Sequence, residues 1–155
     1  MQKITPFLWY NTEAEEAMNF YISIFAARGQ SAKIIALNKN EEDGKVFSVR
    51  FELAGQEFHA LNGGPHFKFS EAVSLFVNCD TQEEVDWYWE KLSEGGEKGQ
   101  CGWLKDKYGL SWQIVPKELD EMIGNSDRAK AKKAMNAMLQ MTKLSIDDLR
   151  RAMES

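Results

Sequence analysis

The chain has 155 residues, of which 43% are hydrophobic, 12% aromatic and 28% charged, with a net charge of −5. That is enough chain for a single domain with a real core. The acidic balance argues against a nucleic-acid partner, and the lack of any apolar run approaching roughly 18 residues argues against a membrane one. The only cysteines are Cys79 and Cys101, and the N-terminal MQKITPFLWY lacks the form of a secretion signal. Free thiols in a reducing, cytoplasmic setting are therefore expected.

In chain order, ITPFLWY (4–10) reads as a strand. Thr12 then offers a helix cap, with Glu15 three residues on to complete a capping box. Ala14, Ala17, Met18, Tyr21 and Phe25 follow at helical spacing and define one apolar face. KIIALN (33–38) is a short strand and NKNEEDGK (38–45) a hairpin tip. VFSVRFEL (46–53) alternates, with Phe47, Val49, Phe51 and Leu53 on one side and Ser48, Arg50 and Glu52 on the other. AGQ turns the chain into the strand EFHALN, and NGGPHFKFSE (62–71) is a linker rich in turn formers.

AVSLFVN (72–78) opens a second series of elements. Asp80 or Thr81 caps the next helix, whose apolar stripe is Val85, Tyr88, Trp89 and Leu92; Gly95 and Gly96 end it. Abbreviated strands are expected around QCGWLKD, then GLSWQIV (109–115) closes the series at Pro116. Three helical stretches follow. Ala131, Ala134, Met135 and Met138 share one face, and Ile146, Leu149 and Met153 share another behind a Ser145 cap. Such a tail does not stand alone, so its stripes must pack on the sheet domain or on a second subunit. The basic cluster Arg128, Lys130, Lys132 and Lys133 reads as a solvated helix face.

The series repeats. Leu8, Asn11, Glu16 and Tyr21 recur 67 residues later as Leu75, Asn78, Glu83 and Tyr88, while AGQEFHALN and YGLSWQIVP align at a spacing of 54. The expected fold class is α+β: two βαβββ modules (1–64 and 71–117) related by a pseudo-twofold with a cleft between like halves, followed by C-terminal helices over 118–155, all in one domain.

The strings TPFLWYNTEAEEAMNFY, FELAGQEFHALNGGPHFKF, AVSLFVNCDTQEEVD, GGEKGQCGWLKDKYGLSWQIVP and AMLQMTKL resemble the PhnB-like family, also labelled the 3-demethylubiquinone-9 3-methyltransferase domain, within the glyoxalase/bleomycin resistance/dioxygenase (vicinal oxygen chelate) superfamily. The resemblance extends over nearly the whole chain, tail included. It implies paired βαβββ modules forming a curved sheet, a homodimer and a ligand cavity on the concave sheet face. Metal-dependent members carry four ligands, one on the first and one on the last strand of each module. Those positions fall here on Pro6, His59, Ala72 and Gln113, and a one-residue slip substitutes Thr5 and Glu71. Proline and alanine do not ligate, so no metal and no other cofactor is expected.

Strand alternation puts His59 opposite Phe58 and Ala60, and Gln113 opposite Trp112 and Ile114. His59 is the candidate general acid or base, against the alternative of a packed core histidine. Gln113, Arg50, Tyr10, Trp103 and Ser74 are the candidate ligand-binding residues, with His59 and Gln113 expected to face one another across the cavity. Arg50 suits an anionic group, or it pairs with Glu52 or Glu57. Cys101 has no base beside it in sequence, and Trp112 is expected to face the helices. No glycine-rich methyl-donor turn is present: the first strand-to-helix joint is YNTEAEE, without glycine, and Asn62-Gly63-Gly64-Pro65 leads to HFKF rather than a helix. The expected partners are a small-molecule ligand and a second copy of the chain. A divalent-metal lyase or dioxygenase and a methyltransferase are the rival readings.

Overall fold

The computed structural model describes residues 2–155. It divides into two compact units between Phe69 and Ser70. The first contains β1 (Phe7–Tyr10), α1 (Ala14–Ala26), β2 (Ala32–Lys39), β3 (Val46–Leu53) and β4 (Gln56–Asn62). The second contains β5 (Ser74–Cys79), α2 (Gln82–Ser93), β6 (Glu97–Lys98), β7 (Trp103–Lys105), β8 (Ser111–Pro116), then α3 (Glu118–Ile123), α4 (Arg128–Leu139) and α5 (Ile146–Glu154).

The two sheets have the same topology, in the orders β1-β4-β3-β2 and β5-β8-β7-β6. In each, the first strand pairs parallel to the last and the remaining pairs are antiparallel. The duplication read from the sequence is thus a duplication of fold. Its spacing in the first strands differs from the expected one. Phe7 lies beside His59 and Phe76 beside Gln113, so β1 and β5 correspond at 69 residues rather than 67. A shift of two leaves every side chain on its face, which is why the sequence match tolerated it. The helices keep the shorter spacing, and Tyr21 and Tyr88 are both buried.

In the first unit α1 packs on the sheet through Ala14, Ala17, Met18, Tyr21, Ile24 and Phe25, the face expected from the spacing with Ile24 added. Leu8, Tyr10, Val49, Phe51, Leu53, Phe58 and Ala60 are buried with it. The Phe51 and Phe58 rings stack with centroids 5.4 Å apart. Phe47 departs from the expected alternation and is 48% exposed. The register steps from Asn38–Ser48 to Lys39–Val46, which makes Phe47 the extra residue of a bulge; Ile35 is the extra residue of another. The Thr12–Glu15 capping box does not form. Instead the Asn62 side chain accepts from the Ala14 amide (2.8 Å) and donates to the Val46 carbonyl (3.0 Å), so β4 caps α1 from a distance in sequence. Gly63 has a local reason: a Cβ there would stand 2.3 Å from the Trp9 ring, whose indole N–H donates to the Gly64 carbonyl.

In the second unit Thr81, not Asp80, caps α2, its hydroxyl accepting from the Glu84 amide. Val85, Tyr88, Trp89 and Leu92 are buried as expected. Trp112 lies on the buried face with its indole N–H donating to Asp106 (2.9 Å). Cys79 is fully buried, and burial pushes its thiol up to about 12. The tail finds its cover inside this unit: Val115, Leu119, Met122, Ala134, Leu144, Ile146 and Leu149 form one cluster, with Met138, Met141 and Met153 against it. Gln82 fastens it, donating to the Leu144 carbonyl (3.0 Å) and accepting from the Ile146 amide (2.8 Å). The amides of Cys101 and Gly102 donate to the Met141 and Thr142 carbonyls, both at 2.8 Å. Among the described residues, no helix is long and apolar enough to cross a membrane.

Candidate functional site

The sheet face turned away from α1 carries a row in register, Phe7, His59 and Arg50 on β1, β4 and β3. The corresponding row of the second sheet is Phe76, Gln113 and Trp103 on β5, β8 and β7. The edge positions are open, Phe7 being 59% and Phe76 48% exposed. His59 is half-buried, with its ring centroid 5.5 Å from that of Phe7. Arg50 takes the Glu57 alternative: its Nε lies 3.1 Å from Glu57 Oε1, and an Nη2 contact completes the ion pair. Any ligand anion at Arg50 therefore competes with Glu57.

Tyr10 does not join this face. It alternates with Trp9 and lies on the Leu8 side, 2% exposed, its hydroxyl 3.0 Å from that of Tyr21. Its expected ligand-binding role is corrected accordingly: the phenol is a core group. In the second unit Gln113 donates to the Ser74 hydroxyl at 3.0 Å, so these two predicted residues do meet, with Trp103 beside Gln113 across the strand pair.

The next row is Ser74, Ser111 and Lys105, of which sequence reasoning named Ser74 and passed over the other two. Ser111 is fully buried, and among the described residues no group bonds its hydroxyl. It lines a cavity of about 240 Å³ together with Trp103, Lys105 and Glu71. Lys105 forms an ion pair with Glu71, and that bond holds the Glu71 carboxyl below its ordinary value. The signal for Ser111 was available, since it stands two residues before Gln113 and so shares its face. A larger open hollow of about 820 Å³ lies in the first unit among hairpin-tip and loop residues such as Asn11, Lys39 and Asp43.

The metal positions of the superfamily are not met by suitable side chains. Pro6 offers only a carbonyl, which accepts from the His59 amide, and Ala72 precedes β5. The residues beside His59 and Gln113 on their own faces are Phe7 and Phe76, which have no donor atom. Among the described residues, no group of three or more His, Cys, Asp or Glu side chains is placed to hold a metal ion. The residues present do not fit a divalent ion.

The sequence model of the family described as 3-demethylubiquinone-9 3-methyltransferase matches residues 2–115. That match stops before α3, so the tail lies beyond it, in contrast to the resemblance expected over the tail. Among solved structures, a PhnB protein from Bacillus cereus is 38% identical, over 74% of this chain and 99% of its own, with a TM-score of 0.67. Protein PA1353 from Pseudomonas aeruginosa is 18% identical over 75% of this chain and 98% of its own, with a TM-score of 0.59. The fosfomycin resistance protein FosX from Listeria monocytogenes is 17% identical over 77% of this chain and 94% of its own, with a TM-score of 0.58. These last two show likeness of fold. No curated protein matches the chain. By the family match and the Bacillus cereus relative, the chain belongs to the PhnB-like, or 3-demethylubiquinone-9 3-methyltransferase, family, and its fold is like that of FosX.

Proposed function

We propose that the protein binds a small organic molecule on the open faces of its sheets without a metal ion, with His59 as its acid–base group. Gln113, Ser74, Trp103 and Arg50 are the ligand-binding residues of this reading. The observation that carries it is the matched pair of rows, Phe7–His59–Arg50 and Phe76–Gln113–Trp103. In both sheets a hydrogen-bonding side chain stands at the same register position, flanked by aromatic surface, where metal-dependent superfamily members carry a ligand. A lyase or dioxygenase mechanism would require donor atoms that Phe7 and Phe76 lack. The methyltransferase name of the family finds no methyl-donor loop in the β1–α1 joint or after β4.

The test is a thermal-shift screen of small molecules, since a ligand of the native state raises the melting temperature. His59→Ala is expected to abolish the response to a hit while costing less than about 1 kcal/mol of stability, because the ring is only half-buried. A large loss of stability with the response retained would make His59 a structural histidine and remove the reading. The homodimer implied by the family resemblance belongs to the same proposal. The tail gives it no support, as its stripes are covered within one unit. Sedimentation at micromolar concentration showing monomer alone would refute it.

A further inference from the structure

We infer that the Ser111 cavity is a carboxylate subsite, in which a ligand carboxylate takes the place of Glu71 on Lys105 and accepts the Ser111 hydroxyl. The inference rests on the functional reading above and names the ligand class. Two observations carry it independently. Ser111 is fully buried, its hydroxyl has no hydrogen-bond partner among the described residues, and the residue lines a cavity of about 240 Å³. A buried donor without an acceptor is a standing cost that a ligand acceptor relieves. The second observation is the occupant of Lys105. Its partner Glu71 lies ahead of β5 in a turn, and the Glu71 side chain is 61% exposed.

An ion pair that open to solvent is weakly held. A ligand carboxylate that bonds both Lys105 and Ser111 has one more hydrogen bond than Glu71 supplies. Of the neighbouring charges, Lys98 is paired with Glu90 at 3.0 Å, while Glu97 stands opposite Lys105 across the β6–β7 pair and is a second carboxylate that a ligand must displace or tolerate. Trp103 supplies the apolar wall, so the ligand carries a small flat or apolar body on its carboxylate. The volume is that of about eight water molecules, which limits that body to roughly one ring. The loop that delivers Trp103 is held by the tail through the Cys101 and Gly102 amides, so the tail positions this wall.

Benzoate is the probe, and the titration is followed by the Trp103 indole and the Ser111 and Lys105 amide resonances of the isotope-labelled full chain. Saturable shifts at these signals are expected, with benzamide producing none at equal concentration. Lys105→Met is expected to weaken benzoate by about tenfold or more, as is Ser111→Ala, since hydrogen bonds to a charged group are at stake. Glu71→Gln, a change to an exposed side chain, is expected to tighten it severalfold by removing the competitor. Unmoved Trp103 and Ser111 signals through tens of millimolar benzoate would overturn the subsite. So would equal affinity in the wild type and Glu71→Gln. Either failure is distinguishable from failure of the broader reading, which is read separately as loss of the His59-dependent thermal shift.

Discussion

Asp106→Ala is expected to destabilise the protein by about 3 kcal/mol or more. Asp106 is 2% exposed, a depth at which a carboxylate persists only if its oxygens are bonded. Oδ1 accepts from the amides of Tyr108 (2.9 Å) and Leu110 (3.1 Å), and Oδ2 accepts from the Trp112 indole at 2.9 Å. The backbone closes the same turn, with the Asp106 amide donating to Leu110 and the Gly109 amide to Asp106. Gly109 has φ +88°, a conformation that glycine adopts at little cost. Truncation to alanine leaves three donors without their acceptor, and each buried orphan costs about 1–3 kcal/mol. Asp106→Asn keeps an acceptor for the two amides but turns an N–H₂ toward the indole, so an intermediate loss is expected. The check is the urea midpoint at unchanged slope. An Asp106→Ala loss below about 1 kcal/mol would show that the turn is held by its backbone alone.

The second large effect is expected in the tail. Leu149→Ala removes a fully buried side chain from the cluster that joins α3, α4 and α5 to Val115 of β8. Leucine truncations in packed cores cost about 2–5 kcal/mol, and a value near 3 is expected here. The number matters because the family match ends at residue 115, before the first tail helix. If the tail is integral to its unit, tryptophan fluorescence and far-ultraviolet circular dichroism will report one shifted transition. An early loss of helix ahead of the tryptophan signal would make the tail a separately melting element.

Much of the fold was legible because its signals are periodic. The helical spacing from Ala14 to Phe25 and from Val85 to Leu92 named the buried faces, and the repeat implied two like modules, which the structure builds as two separate four-stranded sheets rather than one curved sheet. What escaped has a common character: it depends on groups distant in sequence. Asn62 replaced Thr12 at the start of α1 because the end of β4 lies beside that helix terminus. Phe47 left its face because of a bulge set by the pairing of two strands, which alternation in one strand does not reveal. The site divides in the same way. Alternation put His59 and Gln113 on the faces opposite their neighbours along the strand, which are buried while these two are half-buried. It did not say that Arg50 would be taken by Glu57, that Tyr10 would bond Tyr21 in the core, or that Ser111 would be left without a partner.

The two bulges bear on how readily a foreign strand could add to this sheet. β2 is an outer strand of its sheet and carries exposed Ile34 and Ile35, the kind of segment on which foreign strands add and amyloid seeds. Its pairing with β3 is broken between Ile34 and Ala36 and again between Asn38 and Lys39, so no regular stretch exceeds three residues. An incoming strand meets a ladder whose spacing and twist change before it has made a stable set of bonds. Lys33 and Lys39 add like charge against a second copy of the same edge. Irregularity that looks like a defect in the ladder thus acts as a guard on the one edge of this sheet where apolar side chains are exposed on an outer strand of such length.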